Sequence, residues 1–255
     1  MKSVVAALLV GSAAAFTSSS FNGAQVKSSA SNGKKMAMET IEDLETLGTK
    51  LNPAIKYFDP LGLAKEEFWG TTNEETIGFL REAEIKHGRI AMFAFVGYIV
   101  HANGIAFPWA MNFDDEPFPK VSSAPEAWDA LPDAAKLQII AFIGFLEFYR
   151  EVGSETHYMK GGKPGEFPAF DVSVIPGGAL NLYDPFGIAA KNSPEKKERG
   201  LTKELNNGRL AMIGIMGFCA EGKVEGSVPF LKGIIPHYDG DFMAPFDTSL
   251  FPSVP

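Results

Sequence analysis

Two short segments of the 255-residue chain repeat one arrangement of side chains that can bind a metal and neutralise each other. In the first, Glu84 is followed by His87 and Arg89; in the second, Glu204 is followed by Asn207 and Arg209. Residues three apart on a helix lie one turn along the same face, so each segment sets a carboxylate beside a second lone-pair donor. Carboxylate oxygen, imidazole nitrogen and amide oxygen share one ability: each can be the single axial ligand of a metal already held by a macrocycle. The plainer alternative is a set of polar side chains satisfied by backbone carbonyls, and the duplication of the whole pattern argues against it. Arginine and glutamate five apart do not share a helix face as residues three or four apart do. If two such helices cross about a pseudo-two-fold axis, however, Arg89 meets Glu204 and Arg209 meets Glu84. Gly88 and Gly208 then allow close backbone approach.

The helices that carry these residues are marked out by an internal repeat. Phe58-Asp59-Pro60-Leu61-Gly62 precedes Glu84-Ile85-Lys86-His87-Gly88-Arg89-Ile90-Ala91-Met92, and Tyr183-Asp184-Pro185-Phe186-Gly187 precedes Glu204-Leu205-Asn206-Asn207-Gly208-Arg209-Leu210-Ala211-Met212. Each arginine opens an apolar stretch, residues 90–100 and 210–220, with Gly97 and Gly217 at matching places, and a third apolar stretch, 137–149, has no repeat partner. The simplest reading is an all-α membrane protein with three transmembrane helices, at about 76–103, 133–151 and 202–222, the first and third forming the crossed pseudo-two-fold pair. A soluble helical bundle is the alternative. An unpaired charge at membrane depth costs roughly 2.5 to 3.5 kcal/mol or more, which makes the proposed ion pairs a requirement of the spanning reading. Residues 150–203 are rich in Lys and Arg, whereas 103–133 hold Lys120 among Asp114, Asp115, Glu116, Glu126, Asp129 and Asp133. That asymmetry places the basic loop and the N-terminus on the same side of the membrane.

Composition excludes several classes of function. A net charge of −8 disfavours a generic nucleic-acid binder, and Cys219 as the sole cysteine rules out an intramolecular disulfide or a CxxC pair. The mean hydropathy of +0.01 averages very different segments. Residues 1–15 read as a signal peptide: a charged start, an apolar run and a small-residue cleavage site. Residues 16–36 are Ser-rich, carry Lys27, Lys34 and Lys35 and have no acidic residue, which is transit-peptide composition. This two-part address, with Phe16 directly after the alanines, resembles that of algae whose plastids came from an engulfed red alga. A secreted protein with a disordered N-terminus is the alternative. The remaining 37–255 form the functional domain.

The repeated segments, with the FDPLG and YDPFG loops before them, resemble the chlorophyll-binding light-harvesting antenna superfamily over about 56–222. Details such as Thr76-Ile77-Gly78-Phe79-Leu80-Arg81, His157-Tyr158-Met159-Lys160-Gly161-Gly162 and Met243-Ala244-Pro245-Phe246 are similar to the chlorophyll a/c antennae of red-lineage algae. The resemblance implies that Glu84, His87, Glu204 and Asn207 are axial ligands of chlorophyll magnesium, a hard ion suited to such donors, with Arg89 and Arg209 as interhelical counter-charges. It nominates Glu147 and Gln138 on the middle helix, the alternative for Glu147 being a surface pair with Arg150. Glu221 stands at the family's glutamine ligand position, and the repeat makes His101 its counterpart. His157 and His237 fall in loops and are weak candidates. The implied cofactors are chlorophyll a, chlorophyll c, fucoxanthin or peridinin, and a diadinoxanthin-type xanthophyll. The implied partners are a photosystem I or II core, neighbouring antenna subunits and thylakoid lipids. The implied location is the plastid thylakoid membrane, with the N-terminus stromal and the chain made as a nuclear-encoded precursor.

These readings point to a light-harvesting antenna and not to an enzyme. A photoprotective member of the same family is the alternative. A membrane transporter or enzyme using the buried carboxylates is remote, since the chain has no P-loop, GxSxG, HExxH or dinucleotide fingerprint.

Overall fold

Capping signals in the sequence set where the helices begin. The computed structural model describes residues 38–121, 123–168 and 191–242. The leader (1–36), the YDPFG loop (183–187) and the Met243-Ala244-Pro245-Phe246 segment lie outside the described residues. Helix α1 (Ile41–Leu51) opens with a capping box in which Thr40 and Asp43 satisfy each other's backbone N–H. Helix α2 (Asn73–Ala102) opens the same way with Thr72 and Glu75. A short helix α3 (Ala124–Asp129) and α4 (Asp133–Val152) come next; α4 carries Asp133 in its first turn and Arg150 in its last, both favourable to the helix dipole. Helix α5 (Pro194–Lys223) starts from Ser193, whose hydroxyl accepts from the Lys196 N–H, with Pro194 in the first turn. Before α2, Asp59 accepts from the N–H groups of Leu63 and Ala64, both at 3.0 Å, and so caps the 3-10 turn Leu63–Lys65.

Helices α2 and α5 contain 30 residues each, about 45 Å at 1.5 Å per residue, and pack mainly against each other. Their closest approach is glycine on glycine. A Cβ added to Gly88 would lie 3.1 Å from the Gly208 Cα, and one added to Gly208 would lie 2.9 Å from the Gly88 Cα. The near-equality of the two distances reflects the repeat: each copy gives the other the same empty position. Past the crossing, Phe95 stacks on Phe218 at 4.9 Å between ring centroids and covers Gly214, while Tyr98 reaches Phe218 at 5.0 Å. The matched glycines of the apolar stretches play no such part, since Gly97 faces open space and Gly217 has only Val228 at 4.0 Å.

The unrepeated helix α4 packs extensively against neither long helix. It is held through charged side chains, and it leaves Leu137, Phe142, Ile143 and Phe148 exposed. Helix α1 touches both members of the crossed pair: Glu39, just before it, receives Arg81 of α2 at 3.0 Å, while Lys50 pairs with Glu198 of α5 and the Leu51 carbonyl accepts from Asn206 at 3.2 Å.

Three helices of 20 to 30 residues are present among the described residues, but none is long and apolar enough to cross a membrane. Length is sufficient in each case; what lowers the hydropathy is charge, as with Arg81, Glu82, Glu84, Lys86 and Arg89 in the first half of α2.

The glycine contact generates a contrast. Gly208→Ala should destabilise the protein by about 1–3 kcal/mol, because the new methyl meets backbone that cannot yield locally. Gly97→Ala should stabilise it by roughly 0.5 kcal/mol through the unfolded chain. Thermal unfolding of the two variants, followed by circular dichroism, checks the opposite signs.

Candidate functional site: a reciprocal ion-pair crossing with outward-facing donors

Directly beside the glycine contact, the two arginines reach across. Arg89 Nε donates to Glu204 Oε1 at 2.6 Å, and Arg209 Nε donates to Glu84 Oε1 at 2.6 Å. Four charges that each helix would expose alone are thereby neutralised in two equal contacts. Magnesium-ligating carboxylates benefit from such counter-charges, which fix the rotamer and leave lone pairs unused.

The remaining donors differ in how far they are engaged. His87 Nδ1 lies 2.8 Å from the Ala83 carbonyl, an acceptor, so Nδ1 carries the proton and the exposed Nε2 keeps its lone pair. Asn207 is exposed and has no side-chain partner among the described residues. Glu204 Oε2 is likewise unused. Glu84 is more occupied than its counterpart, because Arg81 Nη1 binds Oε2 while also holding Glu39. Gln138 and His101 are exposed and make no side-chain hydrogen bond among the described residues.

Around α2 lies a second charged network that sequence reasoning did not find. Glu82 and Arg150 pair at 3.3 Å with side chains only 4 % exposed each. Glu82 Oε2 also accepts from the Gly165 N–H at 2.5 Å, and Arg89 Nη1 donates to the Gly165 carbonyl at 2.7 Å, so one residue of the 161–166 loop is gripped from both sides. Gly165 has φ +77°, and a Cβ there would meet Ile85 Cγ2 at 2.8 Å, so glycine is required. Lys86 reaches Glu147 at 2.6 Å. Glu147 therefore pairs with Lys86 and not with Arg150, which the buried Glu82 captures; its Oε1 remains unused. The signal available in the sequence was asymmetry between the copies. Arg81, Glu82 and Lys86 correspond to Leu201, Thr202 and Asn206, and the charges present in only one copy bind the parts of the chain that have no repeat.

Other candidates are consumed by local structure. His157 Nε2 donates to Glu151 Oε2 at 2.7 Å and its Nδ1 accepts from the Met159 N–H at 3.3 Å, leaving neither nitrogen free. His237 Nε2 faces Asp239 at 2.8 Å. Tyr158, whose carbonyl packs so tightly on Gly78 that a Cβ there would sit 2.6 Å away, has its phenol pushed up to about 12 by burial and by donating to Glu151. Glu221 is 2 % exposed, and both its carboxylate oxygens accept hydrogen bonds from the loop after α5.

This frame is that of a known family. Residues 44–223 match the chlorophyll A-B binding protein family, and the chain belongs to it. It is 36 % identical over 240 residues to a fucoxanthin-chlorophyll a-c binding protein of Trieres chinensis, covering 91 % of this chain and 98 % of that protein. It is 35 % identical over 225 residues to the fucoxanthin-chlorophyll a-c binding protein F of Phaeodactylum tricornutum, covering 88 % and 96 %. A fucoxanthin-chlorophyll a-c binding protein B of Macrocystis pyrifera is 31 % identical over 220 residues, covering 85 % and 88 %. All three are named chloroplastic. The family is one of pigment-binding proteins and not of enzymes.

The residues present fit the pigment the family name implies. Hard oxygen donors stand at the neutralised crossing beside an exposed imidazole nitrogen, a donor set that suits magnesium. Glu204 Oε2, Glu147 Oε1, His87 Nε2 and the side chains of Asn207, Gln138 and His101 accept no hydrogen bond among the described residues, whereas both oxygens of Glu84 and both of Glu221 are engaged.

The two networks differ in burial, and their contributions to stability should differ with it. Arg150→Leu leaves the buried Glu82 with only the 3.8 Å contact to Lys86 and the Gly165 N–H, and should cost about 3 kcal/mol. Lys86→Ala, which loses the 56 % exposed Glu147 and a looser 3.8 Å contact to Glu82 but leaves Glu82 its arginine, should cost less, about 1 kcal/mol. Denaturant unfolding of both variants tests the ranking.

Proposed function

We propose that the chain is a light-harvesting antenna that binds chlorophyll a, chlorophyll c and fucoxanthin and passes excitation to a photosystem. The observation that carries this reading is the pair of 2.6 Å Arg–Glu contacts at the glycine crossing, with lone-pair donors left over on the outer helix faces. Bound pigment supplies light absorption and the transfer of excitation. The chain supplies position: Arg89 and Arg209 cancel the carboxylate charge, Glu204 and Glu84 hold their rotamers against those arginines, and the Ala83 carbonyl fixes the His87 ring with Nε2 outward. Donors on helices that cannot slide past one another keep their separations constant, which excitation transfer requires.

Helices α2, α4 and α5 span the thylakoid membrane in this reading, with the N-terminus on the stromal side. The pairing of Arg81, Glu82, Glu84, Lys86 and Arg89 of α2, and of Glu204 and Arg209 of α5, supports it, because a hydropathy scale applied helix by helix counts each charge as unpaired. The contrast between the basic residues of 150–203 and the acidic ones of 103–133 supports the orientation. Glu84, His87, Glu204, Asn207, Glu147, Gln138 and His101 are the proposed magnesium ligands. A diadinoxanthin-type xanthophyll accompanies fucoxanthin, and the partners are a photosystem core, neighbouring antenna subunits and thylakoid lipids.

The test is the absorption spectrum and solvent-extracted pigment content of protein purified from membranes. Chlorophyll a, chlorophyll c and fucoxanthin should accompany the wild-type chain and be largely lost from the Glu84→Leu/Arg209→Leu double variant, which removes a whole ion pair and strands no charge. His87→Leu should lose about one chlorophyll per chain and stay assembled. A folded, colourless wild-type protein would overturn the proposal.

A further inference from the structure

The position of Glu221 is the one at which the family resemblance expects a metal-ligating side chain and the structure provides a closed one. Its Oε1 accepts from the Gly226 N–H at 2.8 Å; its Oε2 accepts from the Val228 N–H at 2.8 Å and the Ser227 hydroxyl at 3.4 Å. Gly226 adopts φ +82°, a left-handed conformation that turns the chain so that the Gly226 and Val228 N–H groups and the Ser227 hydroxyl converge on the carboxylate. Only 2 % of the residue is exposed.

The segment after this loop packs on the two residues that follow Glu221. The chain returns along the end of α5, where the Tyr238 N–H donates to the Gly222 carbonyl at 2.8 Å and Lys223 Nζ donates to the carbonyls of Asp239 at 2.9 Å and Gly240 at 2.6 Å. Tyr238 continues to α3, its hydroxyl donating to Asp129 Oδ2 at 2.7 Å. Pro236 and Phe242 lie 3.7 and 3.4 Å from where a Gly222 side chain would begin. Axial coordination needs a lone pair that a flat macrocycle can reach face-on, and this flank is filled by the protein itself. The repeat counterpart behaves in the opposite way: His101, at the end of α2, is exposed and makes no side-chain hydrogen bond among the described residues.

We propose that Glu221 anchors the C-terminal segment on α5 and ligates no chlorophyll, so that the two ends of the repeat have diverged, one keeping an available donor and the other using its carboxylate to hold the protein together. The second half of this inference rests on the antenna reading; the first does not.

Two variants test it in full-length protein refolded with chlorophyll a, chlorophyll c and fucoxanthin. Glu221→Leu removes every possible ligand, and the chlorophyll count per chain should equal that of the wild type; loss of one chlorophyll would overturn the inference. Glu221→Gln keeps a ligating oxygen but replaces one acceptor by an amide N–H facing backbone N–H donors. Trypsin cleavage after the exposed Lys232, followed by intact mass, should therefore be about tenfold faster than in the wild type. Cleavage as slow as wild type would overturn the inference, and this readout decides the matter if Glu221→Leu does not assemble. A wild-type chain that takes up no pigment would defeat the antenna reading, while the cleavage comparison would still judge the anchor.

Discussion

Two helices meet where neither has a side chain, and the remaining contacts are built around that meeting. Gly88 and Gly208 bring the backbones so close that each arginine next to them falls within reach of the other helix's glutamate, and the 2.6 Å contacts on both sides result from one geometry used twice. Close approach and charge neutralisation support each other. Without the glycines the backbones could not approach so closely, and without the arginines Glu204 would stand uncompensated beside an apolar crossing while Glu84 would keep only Arg81. The donors on the outer faces inherit their positions from this crossing.

The other contacts around α2 assemble unlike parts on that frame. Arg81 gathers the segment before α1, Glu82 takes α4 through Arg150 and the loop through Gly165, and Lys86 takes α4 again through Glu147. Arg89 serves both systems, holding Glu204 with one nitrogen and the Gly165 carbonyl with another. Symmetric charges thus build the repeat and asymmetric ones attach what is not repeated. Helix α4, held mainly through such contacts, leaves a long apolar surface uncovered by protein, which suits a neighbour such as pigment or lipid.

Much of the crossing was legible in the sequence, because duplication makes a pattern visible and a five-residue offset forces the arginine to look outside its own helix. Gly88 and Gly208 stood out for the same reason. The Glu82–Arg150 pair was hidden: it joins unrepeated elements 68 residues apart, and nothing local marks it. The partners of Glu221 were hidden too, since they are backbone N–H groups of a glycine turn, which residue types do not announce. Hydropathy read helix by helix carries no sign of the partners that Arg89 and Arg209 find in Glu204 and Glu84, because those pairs exist only once the two helices cross.

Whether the reciprocal ion pair holds the crossing is decided by a double-mutant cycle on unfolding free energy with Arg89→Leu, Glu204→Leu and the two combined. The double variant should be no less stable than the worse single variant, with a coupling of about 2 kcal/mol between the two positions. Additive losses, with no coupling, would contradict the claim that these charges hold the helices together.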